Sequence, residues 1–359
     1  MTLTPTDESN LLLPLFEGIF ETPVWETFLK RLIQRTGAQR VRLTVRNVAA
    51  PDQPPLRRRV VADRWAAKDP GEPEPFDASV YSALRPNRVY SFDEVRGFEA
   101  GATRKRQGDV LTASGIGDAR LIRVAGRGEL NAWLVLLHER PAFGAADSAL
   151  LASLAPAIAA AVQIFASIGQ MRLRLGAAED SLALLGIGQA VLDSNGRMLV
   201  ADALGTATLP LDFASAAQHT TVPAELARAA ADLAGAVPAE RRTAELGDGS
   251  QHFAILRPVA HDPAAPPHPA AAIASIRSPR PLDRRAAHEA VAACFGLSAR
   301  EAALAVLIAD GRSIIEAGSE LRLTLETARN YSKRIYAKTG AAGQADLVRL
   351  VLSGLAPLA

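Results

Sequence analysis

The sequence predicts a multidomain chain in which two α+β domains are joined by a long helix and followed by an all-α domain of four helices. Three observations lead to this prediction. Short alternating apolar and polar runs, typical of strands, occur in two separate regions. Between these regions, residues 148–171 contain no charged residue and have the apolar spacing of one continuous helix. From Leu297 onwards, helix start and stop signals follow one another closely.

Length, charge and cysteine content set the broad class of protein. The 359 residues correspond to two or three domains of ~100–200 residues each. The net charge is only +2, so a nucleic-acid surface would need local clustering of basic residues. The single cysteine, Cys294, excludes a disulfide framework, and we expect it to be a buried inert thiol, with a redox switch as the alternative. The polar N-terminus lacks the order of a signal peptide, which favours a cytoplasmic protein.

The first α+β domain is predicted at residues 10–145. It opens with an amphipathic helical pattern, in which Trp25, Phe28, Leu29, Leu32 and Ile33 share one face. Strand patterns follow at 41–48 and 57–65. Two further strand patterns, 118–126 and 130–139, flank a Gly-rich turn and predict a hairpin.

A long connecting helix is predicted at residues 146–180. Pro156 and Gln163 interrupt its apolar stretch, which argues against a membrane span. Its larger apolar residues recur at steps of three and four, as in the seam between two packed helices. We therefore expect the helix to join two copies of the chain, through Leu151, Leu154, Ile158, Ala161, Phe165, Ile168 and Leu175.

The second α+β domain is predicted at residues 181–281. Two short apolar runs surround Ser194, Asn195 and Gly196, and an Asn-Gly pair strongly favours a tight hairpin turn. An alanine-rich helical pattern follows at 224–236. Strand patterns at 251–260 and 270–278 complete the domain.

The C-terminal domain is predicted at residues 290–359. Ser298 with Glu301, and Ser313 with Glu316, have the spacing of capping boxes, in which each residue of the pair satisfies a backbone N–H at a helix start. A third helix is predicted to start at Thr324 and to end at Gly340, a residue type favoured where helices finish in a left-handed conformation. A fourth is predicted at 344–353.

A short helix, a tight link and a longer basic helix together form a helix-turn-helix arrangement. The third helix has an inward face made of Leu325, Ala328, Ser332, Ile335 and Thr339. Its outward face is polar and basic, and the segment 321–349 contains six basic residues and two acids. Arg and Asn can read purine edges in the major groove, while Lys and helix starts hold phosphates. The sequence therefore favours DNA binding over an ordinary solvated helix face.

These C-terminal residues also resemble the LuxR-type helix-turn-helix domain of bacterial transcription regulators. The resemblance rests on LSAREAALAVLIADGRS (297–313), on Glu316, Leu321, Thr327 and Arg329, and on RIYAKTG (334–340) and QADLVRL (344–350). It implies a four-helix domain whose third helix enters the major groove. It also implies that Thr327, Arg329, Asn330 and Lys333 lie near the bases, whereas Ser313, Thr324, Arg334 and Lys338 lie near phosphates.

Four positions depart from the family pattern. Arg322 stands at a turn position that is commonly Gly, and Glu326 stands where Lys is common and would repel phosphate. Ala317 and Gly318 stand where larger or helix-favouring residues are usual.

The upstream regions have weaker resemblances, at about 10–165 to a GAF-like sensor domain and at about 178–280 to a PAS-like one.

The sequence therefore predicts a cytoplasmic DNA-binding transcription regulator with sensory input domains. Double-stranded DNA and a second copy of the chain are the expected partners, with RNA polymerase and an unidentified small-molecule effector as further candidates. No catalytic residue, cofactor site, metal site or membrane partner is predicted. The alternative is a protein-interaction or dimerisation module that has lost DNA binding through Arg322 and Glu326.

Overall fold

The structure is a computed structural model that describes residues 4–66, 81, 83–97, 115–126, 129–209, 222–246, 253–260, 264, 266–277 and 284–354. The chain divides into two compact units, Met1–Leu173 and Arg174–Ala359. The predicted domain ends at residues 281 and 359 lie outside the described residues.

The described part of the first unit begins with short helical turns and contains one five-stranded antiparallel sheet. Its helices are α1 (Pro5–Asp7), α2 (Leu13–Glu17), α3 (Glu26–Thr36), α4 (Asp63–Ala66), α5 (Phe92–Arg96) and the start of α6 (Ala145–Leu184). Its strands are β1 (Arg40–Asn47), β2 (Leu56–Val61), β3 (Val89–Ser91), β4 (Asp118–Ala125) and β5 (Leu130–His138). The strand order is β2-β1-β5-β4-β3.

One face of this sheet is buried against α3 and α6. Alternation along β1 places Val41, Leu43 and Val45 on this face, where each is buried. The predicted amphipathic helix is confirmed as α3, since Phe28, Leu29, Leu32 and Ile33 are all buried in the same core. The predicted hairpin is confirmed as well, because β4 and β5 pair antiparallel with Ala125 opposite Asn131.

The prediction of a dimer seam at the start of the long helix is wrong. Ile158 is only 1% exposed, and Leu151, Leu154 and Ala161 are also buried, all within the core of the first unit. Phe165 packs against Trp25 of the same chain, with ring centroids 5.0 Å apart. Apolar residues that recur every three or four positions form one buried face of a helix, and here that face packs against the sheet of its own domain. These residues are therefore unavailable to a second copy.

The helix α6 is long and apolar enough to cross a membrane by length and composition alone. However, 39% of its most apolar window is buried inside the protein. The segments Arg285–Phe295 and Ala299–Ala309 meet the same criterion only as a pair bent by 114°. The buried part of the helix α6, which includes Leu151, Leu154 and Ile158, belongs to the core of the first unit.

The second unit contains another five-stranded antiparallel sheet and the C-terminal helices. The strands are β6 (Ile187–Asp193), β7 (Met198–Ala201), β8 (Arg242–Glu245), β9 (Phe253–Pro258) and β10 (Ala270–Arg277). They are ordered β7-β6-β10-β9-β8, so both sheets of the chain have the same strand order when each is numbered from its own first strand. In the described residues two helices accompany this sheet, α7 (Ala203–Thr208) and α8 (Ala224–Asp232).

The Asn-Gly hairpin is confirmed between β6 and β7. Gly196 has a φ of 75°, the left-handed conformation that glycine adopts without strain. The Asp193 side chain accepts hydrogen bonds from the backbone N–H groups of Asn195 and Arg197, at 2.9 and 2.8 Å, which closes the turn. One face of the sheet packs on α8, with Leu192, Leu226 and Leu256 in the core.

The C-terminal bundle has five helices in the described residues rather than the predicted four. They are α9 (Arg284–Phe295), α10 (Ala299–Ala309), α11 (Ile314–Glu320), α12 (Leu325–Thr339) and α13 (Gln344–Ser353). The additional helix α9 contributes Ala287 and Val291 to the same core as α10, so the domain starts before residue 290. The expectation of a buried Cys294 is wrong, since Val291 and Leu297 occupy the core positions and leave the thiol exposed.

Candidate nucleic-acid interface

The starts of the three central helices of the bundle are fixed by side-chain caps. Both predicted capping boxes are present: Ser298 with Glu301 at the start of α10, and Ser313 with Glu316 at the start of α11. The Thr324 hydroxyl accepts a hydrogen bond from the Thr327 backbone N–H at the start of α12. Each cap satisfies backbone donors that have no partner within the helix. The sequence therefore specifies where each helix begins.

The link between α11 and α12 is a tight left-handed turn. The Leu323 N–H donates to the Gly318 carbonyl at 2.8 Å, and the Arg322 N–H donates to the Ser319 carbonyl at 3.0 Å. This pair of bonds defines a Schellman ending, whose left-handed residue is usually Gly. Here that residue is Arg322, with a φ of 56°. The departure seen in the sequence therefore coincides with a strained backbone, at a cost of about 1 kcal/mol.

The helices α11 and α12 approach closely at a glycine. A Cβ atom added to Gly318 would lie 2.8 Å from the Cβ of Ala328. Two small residues at this crossing let α12 lie close against α11, and a larger side chain would push it away. This contact accounts for the glycine at position 318. Ala317 is fully buried, which accounts for the small side chain at that position.

The helix α12 has one buried side and one exposed side. Ala328, Ser332 and Ile335 are buried, as the predicted inward face requires. Leu325 was predicted on that face but is exposed. Helical side chains lean toward the N-terminus, so a residue in the first turn projects beyond the start of the helix and past the core. Thr339 is half-buried and donates to the Ile335 carbonyl at 2.8 Å.

The exposed side of α12 concentrates positive charge. Arg329, Asn330, Lys333 and Arg334 are all exposed there. Within the described C-terminal residues, 284–354, none of the three basic side chains forms an ion pair, and Glu326 is the acid on this side. A shallow depression beside it brings three of the predicted residues together with apolar neighbours, and its lining includes Ile314, Leu325, Arg329, Asn330, Lys333 and Tyr336. This arrangement can bind a phosphate backbone and present donors to base edges.

Three predicted hydroxyl residues lie at helix starts beside this face. Ser313 and Thr324 use their oxygens as caps, at 3.2 Å from the N–H groups of Glu316 and Thr327 respectively. The hydroxyls of Thr324 and Thr327 are also 2.8 Å apart. A capping hydroxyl accepts through its lone pairs, so its O–H can still donate to a phosphate oxygen. Helix starts also favour anions through their backbone N–H groups.

Lys338 occupies a different setting from the other predicted basic residues. Its Nζ lies 2.7 Å from Glu301 Oε2 and also donates to the Gly296 carbonyl at 3.2 Å. The Glu301 side chain is only 5% exposed. Lys338 therefore holds α12 against the start of α10. Arg349 is similarly paired, with Asp346 at 2.7 Å.

The pKa shifts in this domain follow from the same contacts. The hydrogen bond from Lys338, followed by that from the Ser298 backbone, lowers the pKa of Glu301. The Ser313 backbone N–H lowers the pKa of Glu316 in the second capping box. Burial raises the pKa of Tyr336. Both cap carboxylates are thus held ionised at neutral pH.

Among the described residues, no group of three or more His, Cys, Asp or Glu side chains is arranged to hold a metal ion. The chemistry brought together on the C-terminal domain is therefore charge, amide and hydroxyl groups on an exposed helix.

No protein-family model and no curated protein matches this sequence. Among solved structures, the chain is similar to CepR2 of Burkholderia cenocepacia, described as an N-acylhomoserine lactone dependent LuxR family transcription factor. The identity is 15%, over 42% of this chain and 95% of that one, with a TM-score of 0.28. It is also similar to Escherichia coli SdiA, at 9% identity over 89% and 84% of the two chains, with a TM-score of 0.26. A third similarity is to Vibrio cholerae VqmA, described among LuxR-type receptors, at 18% identity over 46% and 81%, with a TM-score of 0.19.

Proposed function

We propose that this chain is a LuxR-type transcription regulator whose C-terminal domain binds double-stranded DNA with α12 in the major groove. The observation that supports it is the exposed side of α12, where Arg329, Lys333 and Arg334 lack acidic partners among residues 284–354. Three cations on the exposed side of one helix, without acidic partners among residues 284–354, repel one another in the free protein, and a phosphate backbone relieves that repulsion.

Each predicted residue has a defined part in the proposed complex. Thr327, Arg329, Asn330 and Lys333 face the bases, because they lie along the exposed side of α12 or at its start. Ser313, Thr324 and Arg334 hold phosphates on either side of the groove. Lys338 is left out of the contact set, since its ammonium is bound to Glu301.

In this proposal the two α+β domains are the input of the regulator. Their sequences resemble GAF-like and PAS-like sensor domains, and a small-molecule effector is the signal expected for such domains. The proposed setting is the cytoplasm, with RNA polymerase as a partner on promoter DNA. No catalytic step is proposed.

The test is a binding titration of the full chain across a salt series. The probes are a duplex from upstream of its own gene and a pool of random duplexes, because phosphate contacts give non-specific binding that needs no known operator. The double variant Arg329→Ala/Lys333→Ala should weaken binding and reduce the slope of log K against log salt by about two. If Arg329 also contacts a base, the double variant should lose a further ~1–3 kcal/mol of binding free energy on the preferred duplex relative to the random pool.

The matched control is Arg285→Ala/Arg349→Ala. It removes the same total charge, but Arg285 and Arg349 pair with Glu289 and Asp346 on their own helices and lie away from α12. Equal losses in the two double variants would show that net charge alone governs binding, and would contradict the assignment of α12.

A protein-interaction module is the second candidate function. It is favoured by apolar side chains beside the basic face, since Ile315 and Leu325 are both exposed. Exposed apolar residues near a helix face are more typical of a protein partner than of a phosphate backbone. Absence of any salt-dependent duplex binding by the wild-type chain would favour this candidate.

A further inference from the structure

The exposed part of the long helix α6 has an apolar stripe of its own. The stripe is distinct from the buried face of the helix and begins where that face ends. Its members recur at alternating steps of four and three: Ile164, Ile168, Met171, Leu175, Ala178, Leu182 and, just after the helix end, Leu185. An alternation of four and three is the a and d pattern of a heptad repeat, here sustained over just over three heptads.

The stripe is open to solvent along most of its length. Met171 is 68% exposed and Leu175 is 58% exposed. Ile168 is half-buried, because it also touches the core of the first unit at the edge of the stripe. Large apolar side chains lined up on an exposed helix are costly in water, and they mark a surface that another element covers.

We propose that residues 164–185 form a parallel two-stranded coiled coil with a second copy of this chain. This inference does not rest on DNA binding. It shares Ile168 and Leu175 with the seam that the sequence predicted, but Leu151, Leu154, Ile158 and Ala161 of that seam are used inside the first unit.

The flanking charges select both the partner and its direction. In this heptad register Arg174 is at position g and Glu179 is at position e, five residues later. In a parallel coiled coil a g residue faces the e residue of the following heptad on the other helix. Arg174 therefore faces the partner subunit's Glu179, and symmetry gives this attractive pair twice. In an antiparallel coiled coil a g residue faces a g residue and an e residue faces an e residue, so Arg174 would lose its pairing with Glu179.

The charges also argue against burial of this segment in a lipid bilayer. Arg172, Arg174, Glu179 and Asp180 fall within the stripe region, and each would be expensive at membrane depth. The stripe covers about 32 Å of helix at the usual rise per residue, which is long enough for a regular interface. A second copy presents the same apolar stripe and the same charges, so it can cover the stripe and pair with its flanking charges at the same time.

The first experiment measures the mass of the full chain by sedimentation, without detergent. Wild type should sediment as a dimer of the 37.9 kDa chain, and Met171→Asp/Leu175→Asp should sediment as a monomer. The control is Leu173→Asp, which should remain dimeric. Leu173 is 74% exposed but lies about 200° around the helix from its neighbours at 171 and 175. All three positions are exposed, so the variants should fold normally.

The second experiment tests direction. Arg174→Glu should weaken the dimer roughly three- to tenfold, and Arg174→Glu/Glu179→Arg should restore it. In a Cys294→Ser background, Leu175→Cys should form a disulfide-linked dimer on mild oxidation, because a parallel pair in register brings residue 175 of both chains together. Leu173→Cys should not cross-link.

The proposal is overturned by a monomeric wild type, by recovery of the chain with membranes, or by a dimer that survives Met171→Asp/Leu175→Asp. Cross-linking of Leu173→Cys as efficient as that of Leu175→Cys would overturn the register. None of these outcomes depends on duplex binding, so failure of the coiled coil and failure of the proposed function can be told apart.

Discussion

Lys338 Nζ lies 2.7 Å from Glu301 Oε2, and this contact ties the end of α12 to the start of α10. The same carboxylate accepts from the Ser298 backbone N–H at 2.9 Å, so one buried acid serves a capping box and an ion pair together. The ammonium also donates to the Gly296 carbonyl. Lys338 therefore helps to fix the angle at which α12 presents its exposed basic residues.

Removing the ammonium should destabilise the C-terminal domain. In Lys338→Met the aliphatic stem is kept, but Glu301 loses its charged partner while remaining buried. A buried charged acceptor left short of a partner costs about 1–3 kcal/mol. Hydrogen exchange of backbone amides in 299–309 should report this loss. The control is Lys333→Met, which has no acidic partner within 284–354 and should change the exchange little.

The same contact predicts a dependence of stability on pH. The pKa of Glu301 is lowered in the folded protein, chiefly by Lys338. The stabilisation is therefore complete above the ordinary glutamate pKa of about 4.3, and it is lost as the pH falls through the lower pKa of the folded protein. Calorimetry of wild type and Glu301→Gln should show a difference in melting temperature at pH 7 that shrinks below about pH 4. A difference that stays constant to pH 3 would assign the effect to packing.

The local signals of the C-terminal domain could be predicted from the sequence because they act over three or four residues. Ser298, Ser313 and Thr324 cap the helices they were expected to cap, and Gly340 is left-handed as expected. The pairing of Lys338 could not be predicted in this way. Its partner lies 37 residues away, and helical spacing alone does not reveal which exposed cation meets a distant acid.

The long helix illustrates a second limit. Spacing of three and four residues marks an apolar face, but does not say what the face touches. Ile158 and Met171 both fit such a pattern, yet the first is buried in its own domain and the second is exposed.

The sequence also did not predict the short strands at the edges of the two sheets. β3 has three residues and β8 has four, too few for an alternating pattern to stand out.

Arg322 should limit the stability of the helix-turn-helix. Its left-handed backbone is strained for an L-residue with a side chain, whereas Gly adopts it freely. Arg322→Gly should therefore raise stability by about 1 kcal/mol in urea unfolding of the C-terminal domain. Arg322→Ala keeps the strain and removes only the charge, so it should not show this gain. Equal stability of the Gly and Ala variants would mean that the turn is relaxed as it stands.

Glu326 should weaken DNA binding by the wild-type chain. It is exposed in the first turn of α12, on the side that contains Arg329 and Lys333. There its carboxylate opposes the phosphate backbone, whereas a neutral amide of the same shape would not. Glu326→Gln should bind random duplexes several-fold more tightly at low salt, with a smaller gain at high salt because screening already weakens the repulsion. Glu320→Gln is the control, since it removes an acid from α11 instead. If the two variants bind equally, the effect of Glu326 is one of net charge, and α12 does not face the phosphates.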